Sequence, residues 1–207
     1  MKIKRTANAG VLIELDGTTV LLDGVCDELS PYLGTPGDIR AELSTDFPDI
    51  VAFTHMHTDH YDKLYADNYT KDTLRSILGP ECPALIHAGN TSFNAVATRH
   101  IGRTDVMHVS FVITGSKCIW FMGDASPLEL QKLENQPKPD VLIVPYAYAL
   151  TPSAWRKTRA TGAEKIILVH LPCCKNDTYG LWNSVETTIQ GEDCVCIPEI
   201  GQTVIFN

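Results

Sequence analysis

Four potential metal donors crowd one short stretch of the chain: His55, His57, Asp59 and His60, within Thr54-His55-Met56-His57-Thr58-Asp59-His60-Tyr61-Asp62. They follow the apolar run DIVAF, so three imidazoles and a carboxylate sit at the end of a buried strand. Such a group makes a poor core, because burying polar side chains without partners is costly. It makes a good metal site, because imidazole nitrogen and carboxylate oxygen are donors that zinc accepts without a preferred d-electron geometry. Iron and manganese take the same donors. If the chain turns from strand into helix here, His55 and His57 point one way and Asp59 and His60 another, which serves two metals rather than one. A histidine-rich surface turn is the alternative.

Positioning that cluster requires a framework of strands. GVLIEL, Asp16-Gly17 and TTVLLDG predict two strands joined by a tight hairpin turn. The run from Gly24 to Phe47 holds Pro31, Gly34, Pro36 and Gly37, which predicts loop with one short helix near Ile39 to Leu43. Its length suits a wall or lid beside a pocket. Beyond it the pattern predicts strands at DIVAFTH, ALIHAG, MHVSFVIT, KCIWFMGD, DVLIVPYA, KIILVHL, CVCI and TVIF. Helices are predicted at Tyr61 to Leu78, TSFNAVATRH, Leu128 to Glu134, PSAWRKTRATG and LWNSVETTI. Hairpins at both ends and alternation between them predict an α/β protein of mixed sheets covered by helices, as one domain over residues 1–207.

Composition narrows the partners. The net charge is -8, from 25 acidic against 17 basic residues, and no dense Lys/Arg run occurs, which disfavours a surface built to follow nucleic acid. The opening MKIKRTANAG is basic but holds no apolar run of signal-peptide length, and no segment reaches about 18 uninterrupted apolar residues. A soluble, cytoplasmic chain with no membrane partner is expected. Seven cysteines, an odd number, suit reduced thiols better than a disulfide framework. Cys173/Cys174 and Cys194/Cys196 lack the spacing of a structural zinc site and read as ordinary thiols.

The motif His55-x-His57-x-Asp59-His60 resembles the signature of the metallo-β-lactamase superfamily, and the strand-loop pattern is similar to that family over nearly the whole chain. The resemblance implies a four-layer αβ/βα sandwich of two mixed β-sheets flanked by helices. It also implies two divalent ions, zinc first and Mn2+ or Fe2+ as alternatives. Position by position, Asp23 in VLLDG matches an aspartate that supports the metal loop, although a plain turn residue would also sit there. His108 is the best match for the third ligand of the first metal, since a serine, an apolar strand, a turn and Gly123-Asp124 follow it; His87 and His100 are the alternatives. Asp124 matches the bridging carboxylate, and His170, ending KIILVH, matches the last ligand of the second metal. The implied sets are His55, His57 and His108 on one ion and Asp59, His60 and His170 on the other, with Asp124 shared. Two ions about 3.5 to 4 Å apart lower the pKa of a bridging water, generating hydroxide, and polarise the bond it attacks. Asp59 could also accept a proton.

Tyr146 and Tyr148, after the strand DVLIVP, are candidate substrate contacts, with packing aromatics the competing reading. Tyr61, Trp155 and the Gly24 to Phe47 loop are lesser candidates for the pocket wall, and Cys173 and Cys174 are weak ones for the site. The layout is similar to the smaller lactonase-like and phosphoesterase-like members. No arm that would dock transfer RNA, no second nuclease domain and no glutamate in place of His57 is present. The expected activity is hydrolysis of a small ester, lactone or phosphodiester. A nuclease and a non-catalytic ligand-binding member of the fold are the alternatives.

Overall fold

In the computed structural model, residues 1–81 and 85–206 are described. The first sheet begins with β1 (Lys2–Arg5), β2 (Val11–Leu15), β3 (Thr18–Leu22) and β4 (Ile50–Ala52). Asp16 and Gly17 join β2 to β3 with φ of 52° and 82°, the two left-handed residues that a twist-matched two-residue hairpin demands. The second sheet holds β5 (Leu85–Ala88), β6 (Thr91–Arg99), β7 (Met107–Thr114), β8 (Cys118–Phe121), β9 (Val141–Pro145), β10 (Lys165–Val169) and β11 (Val195–Cys196). The last strand, β12 (Thr203–Ile205), returns to the first sheet, giving the orders β12-β1-β2-β3-β4 and β11-β10-β9-β8-β7-β6-β5. Both sheets are mixed: β3 pairs with β4 and β9 with β8 and β10 in parallel, while the hairpins are antiparallel.

Alternation along the strands sorts side chains between layers. Val20 and Leu22 of β3 face the second sheet, where Phe111, Ile113, Phe121 and Ile143 meet them. Leu21, between them, faces outward with Val51 to pack under Ile39 and Leu43 of α1 (Gly37–Thr45) and Tyr65 and Tyr69 of α2 (Lys63–Thr73). On the other outer face Trp120, Leu142 and Leu168 lie under α3 (Ala147–Leu150), α4 (Pro152–Ala160) and α5 (Leu181–Ile189). The result is the expected helix-sheet-sheet-helix sandwich. Among the described residues no helix is long and apolar enough to cross a membrane.

Several local expectations need correction. TSFNAVATRH, expected as a helix, is strand β6, paired with β7 from Ser92↔Thr114 to Arg99↔Met107. Its Thr, Phe and Val suit a pleated surface, and long-range pairing outweighs the helix preference of its alanines. The helix expected over Tyr61 to Leu78 is shorter: the Asp62 carboxylate accepts the Tyr65 N–H at 2.8 Å to start α2, and Leu74, left-handed at φ 59°, ends it. The helix expected near Leu128 to Glu134 is a 3-10 turn over Pro127–Leu133. The strand expected at ALIHAG begins at Leu85; its Ala84, like Cys82, lies outside the described residues.

Candidate metal centre

The donors arrive on strand ends. Asp23 and the Thr54-His55 pair follow β3 and β4, while His100, Asp124 and His170 follow β6, β8 and β10. Two of these positions are left-handed, Asp23 at φ 47° and His170 at φ 66°, a conformation that side-chain-bearing residues hold only when their surroundings fix it. For Asp23 the fixing bonds come from Thr54, whose N–H donates to Oδ1 and whose hydroxyl donates to Oδ2, both at 2.7 Å. For His170 the N–H donates to Asn8 O at 3.0 Å. Buried Arg5 closes that corner: its guanidinium donates to the carbonyl oxygens of Ala7, Asn8, Leu171 and Pro198 at 2.8 to 3.1 Å. Gly123, at φ 53°, leaves no room for a Cβ against the Thr54 side chain, so the chain reaches Asp124 through glycine.

Hydrogen bonds set the imidazole tautomers. The Thr54 hydroxyl spends its proton on Asp23, so its oxygen, 3.0 Å from His55 Nδ1, accepts from that ring. His60 Nδ1 donates to Asp23 Oδ2 at 2.8 Å, and His100 Nδ1 donates to Ile101 O at 2.6 Å. With Nδ1 tied back, Nε2 is the nitrogen that each ring turns toward the centre. His100 Nε2 is buried without a hydrogen-bond partner, an arrangement that is costly unless something accepts its lone pair. His55 Nε2 faces His57 Nδ1 at 3.0 Å, and His60 Nε2 faces His170 Nε2 at 3.1 Å.

Asp59 Oδ2 and Asp124 Oδ2 complete the second group. They lie 3.3 and 3.4 Å from His170 Nε2 and 3.8 and 3.5 Å from His60 Nε2. Ligands bound to zinc at roughly 2.0 to 2.1 Å in a tetrahedron stand about 3.3 Å apart, so these spacings fit one ion. The other group, His55, His57 and His100, has its donor atoms within 4.8 Å of one another, and Asp124 also groups with His55 and His60. Asp124 Oδ2 is 3.7 Å from His100 Nε2. The carboxylate therefore stands between both groups.

Without a cation the electrostatics are those of crowded charge. Burial pushes the His55 imidazolium far down and His108 to about 3, so both rings are neutral. Burial also opposes charge on His60 and His170, but Asp124 outweighs it, and His170 rises to about 9. Burial would raise the carboxyls, yet His170 and His60 hold Asp124 well below the usual range, and His170 holds Asp59 below it. Protons here occupy places that a divalent ion would take.

Two candidates lie elsewhere than the sequence suggests. His108 is not gathered with His55 and His57; both its ring nitrogens are bonded within the protein, Nδ1 with Thr98 Oγ1 at 2.8 Å and Nε2 with the Asp124 N–H at 3.0 Å. His100, one of the two alternatives, is the histidine that groups with His55 and His57. The other alternative, His87, lies on β5 with its Nδ1 2.9 Å from Ser92 Oγ. Tyr148 is fully buried and its phenol donates to Ala125 O at 2.7 Å, so it braces the chain after Asp124 instead of facing a substrate. Trp155 is likewise core, and Tyr61 meets Phe53 edge to face. Tyr146 stays half-buried beside Tyr32, whose ring meets His170 edge-on at 4.5 Å and whose phenol is pushed up by burial and then by the neighbouring Tyr146. Tyr32 comes from the Gly24 to Phe47 loop, and no local pattern singles it out; His100 would have been found by reading β6 as alternating.

Comparison with known proteins bears on the family and the fold. A family model for the beta-lactamase superfamily domain matches residues 2–160. No curated protein matches the sequence significantly. Among solved structures, a possible metal-dependent hydrolase from Veillonella parvula is similar with a TM-score of 0.72 at 16% identity, over 99% of this chain and 98% of that one. An isothiocyanate hydrolase from Delia radicum gut bacteria gives 0.71 at 18%, over 100% and 99%. CmlA, a diiron β-hydroxylase from Streptomyces venezuelae, gives 0.66 at 13%, over 99% of this chain and 54% of that one.

Proposed function

The chain belongs to the beta-lactamase superfamily, and we propose that it is a metal-dependent hydrolase of a small-molecule substrate, working with two divalent ions. His55, His57 and His100 would hold one ion, Asp59, His60 and His170 the other, and Asp124 would touch both. The observation that carries this is the convergence of Nε2 atoms whose Nδ1 partners are tied back, the buried and partnerless His100 Nε2 above all. Hydrogen bonds from the far ring nitrogen to a carboxylate, hydroxyl or carbonyl orient ligand histidines and raise their basicity.

Ions held there would supply Lewis acidity and a water of lowered pKa. The protein's own contribution is position and proton handling. Asp23 and Thr54 aim His60 and His55, and Asp59, the outer carboxylate of the second group, is placed to take up a proton. Tyr32 and Tyr146 offer phenol donors to a substrate oxygen. Arg40 is paired with Asp62 and Arg103 with Asp105, so the cations near the metal loop are already neutralised. That favours a neutral ester or lactone over a phosphodiester, and the overall charge of -8 weighs against a nuclease. The isothiocyanate hydrolase from Delia radicum gut bacteria and a diphosphatase of the PhnP family widen the panel worth assaying. Zinc is the metal proposed; the diiron neighbour makes iron the alternative to measure. The described cysteines are unpaired, which supports a reducing, cytoplasmic setting.

The test is metal content on protein purified without chelator, with His57→Ala and Asp124→Asn alongside. About two zinc per chain, reduced in both variants, with turnover of an ester or lactone, is the expected result. No metal after reconstitution would overturn the proposal. Full metal with no turnover across esters, lactones, phosphodiesters and isothiocyanates would leave a ligand-binding member of the fold.

A further inference from the structure

We propose that His108 is a positioning residue that fixes Asp124 through its backbone, without ligating an ion; this rests on the metal-centre reading above. Thr98 and His108 stand opposite each other on β6 and β7, and Ser110 lies two residues along the same strand. All three are buried. Thr98 Oγ1 is 2.8 Å from His108 Nδ1 and 3.1 Å from Ser110 Oγ, and the Ser110 hydroxyl reaches Met122 O at 3.1 Å.

The carbonyl of Met122 can only accept, and that fixes every proton in the row. Ser110 donates to Met122, Thr98 donates to Ser110, and His108 Nδ1–H donates to Thr98. His108 Nε2 is then bare, as it must be to accept the Asp124 N–H at 3.0 Å. The relay begins and ends on the same exit from β8: at Met122 O and at Asp124 N, with left-handed Gly123 between them. A flexible glycine preceding the shared carboxylate is thus clamped on both sides. The other face of the segment is held by Tyr148 on Ala125 O and by Ile101 N–H on Asp124 O at 2.7 Å. Ile101 follows His100, so β6 delivers both a donor to the metal group and, through Thr98, the clamp on Asp124.

Long-range proton-nitrogen NMR on the full chain, metal-free and zinc-loaded, reads the clamp directly. His108 should be the neutral Nδ1–H tautomer in the metal-free protein. Zinc should shift the His100 nitrogens strongly and those of His108 little. An Nε2–H tautomer, or a coordination shift on His108, would overturn the proposal. In chelator competition His108→Leu should weaken zinc binding on the order of 10- to 100-fold with the number of ions unchanged, and His108→Gln, which restores an acceptor at the ε position, should recover most of it. Affinity within twofold of wild type in His108→Leu, or the loss of one ion per chain, would overturn it. If His108→Leu does not fold, the tautomer in the wild-type chain still decides. If the wild-type chain takes up no zinc, the metal-centre reading falls, while the tautomer and the Asp124 amide shift in the metal-free chain still decide the clamp.

Discussion

His60 Nδ1 lies 2.8 Å from Asp23 Oδ2, and the same carboxylate takes both the N–H and the hydroxyl of Thr54. One aspartate therefore sets the tautomer of His60 directly and that of His55 through Thr54. Asp23→Asn keeps the size but brings an NH2 that cannot accept. One of these bonds must break, and His60 is freed to place its proton on Nε2, where it blocks a ligand position. Zinc affinity should fall on the order of 10- to 100-fold with the fold retained, checked by chelator competition alongside circular dichroism. Unchanged affinity would show that Asp23 is only a turn residue.

Metal-free protein should have a stability maximum near pH 6.5. Burial lowers both groups, but Asp124 with Asp59 raises the folded pKa of His170 to about 9, and Asp124 with Asp23 raises that of His60 above its usual value. Their stabilisation is complete below about 6.5, the unfolded value, and is lost as pH rises toward 9. His55 and His108 are depressed by burial, His108 to about 3. Below 6.5 the unfolded chain therefore binds protons that the folded one refuses, and stability falls again with acid. Thermal unfolding with chelator from pH 5 to 9.5 measures this, and zinc should abolish the alkaline decline by replacing the protons. A flat or rising alkaline limb in the metal-free protein would contradict the charge distribution described.

What the sequence reveals of this site depends on how local each part is. His55, His57, Asp59 and His60 are legible because their spacing within one loop is itself the signal. His170 and Asp124 are legible as polar residues ending apolar strands, and most strands of the two sheets are legible as short apolar runs bounded by turns. His100 is not legible while Thr91–Arg99 reads as a helix, since a donor just past a strand end is recognisable only once the strand is. The different duties of His108 and Tyr148 depend on cross-strand register and on the turn at Gly123, which no local pattern encodes.

Tyr148→Phe isolates one bond. The ring stays in its fully buried position and only the 2.7 Å hydrogen bond to Ala125 O is lost. Leaving a buried carbonyl unpartnered costs about 1 to 3 kcal/mol, so the melting temperature should drop by several degrees while zinc stoichiometry is unchanged. A variant as stable as wild type would mean that Ala125 O finds another donor.

Arg5→Lys tests how the left-handed turn at His170 is held. The Arg5 fork serves four carbonyl oxygens from three chain segments, among them Asn8, which also receives the His170 N–H, and Leu171, the next residue along. A lysine ammonium has three donors on a single nitrogen and cannot span that fork. At least one buried carbonyl is then left without a partner, at a cost of about 1 to 3 kcal/mol, and part of the constraint on the His170 backbone is released. Denaturant unfolding should show that loss of stability in the metal-free chain. Because His170 belongs to the group with Asp59 and His60, zinc competition should show weakened binding of one ion with the other unaffected. Equal weakening of both ions would point to general loosening of the fold, and no change in either would remove Arg5 from any part in shaping the site.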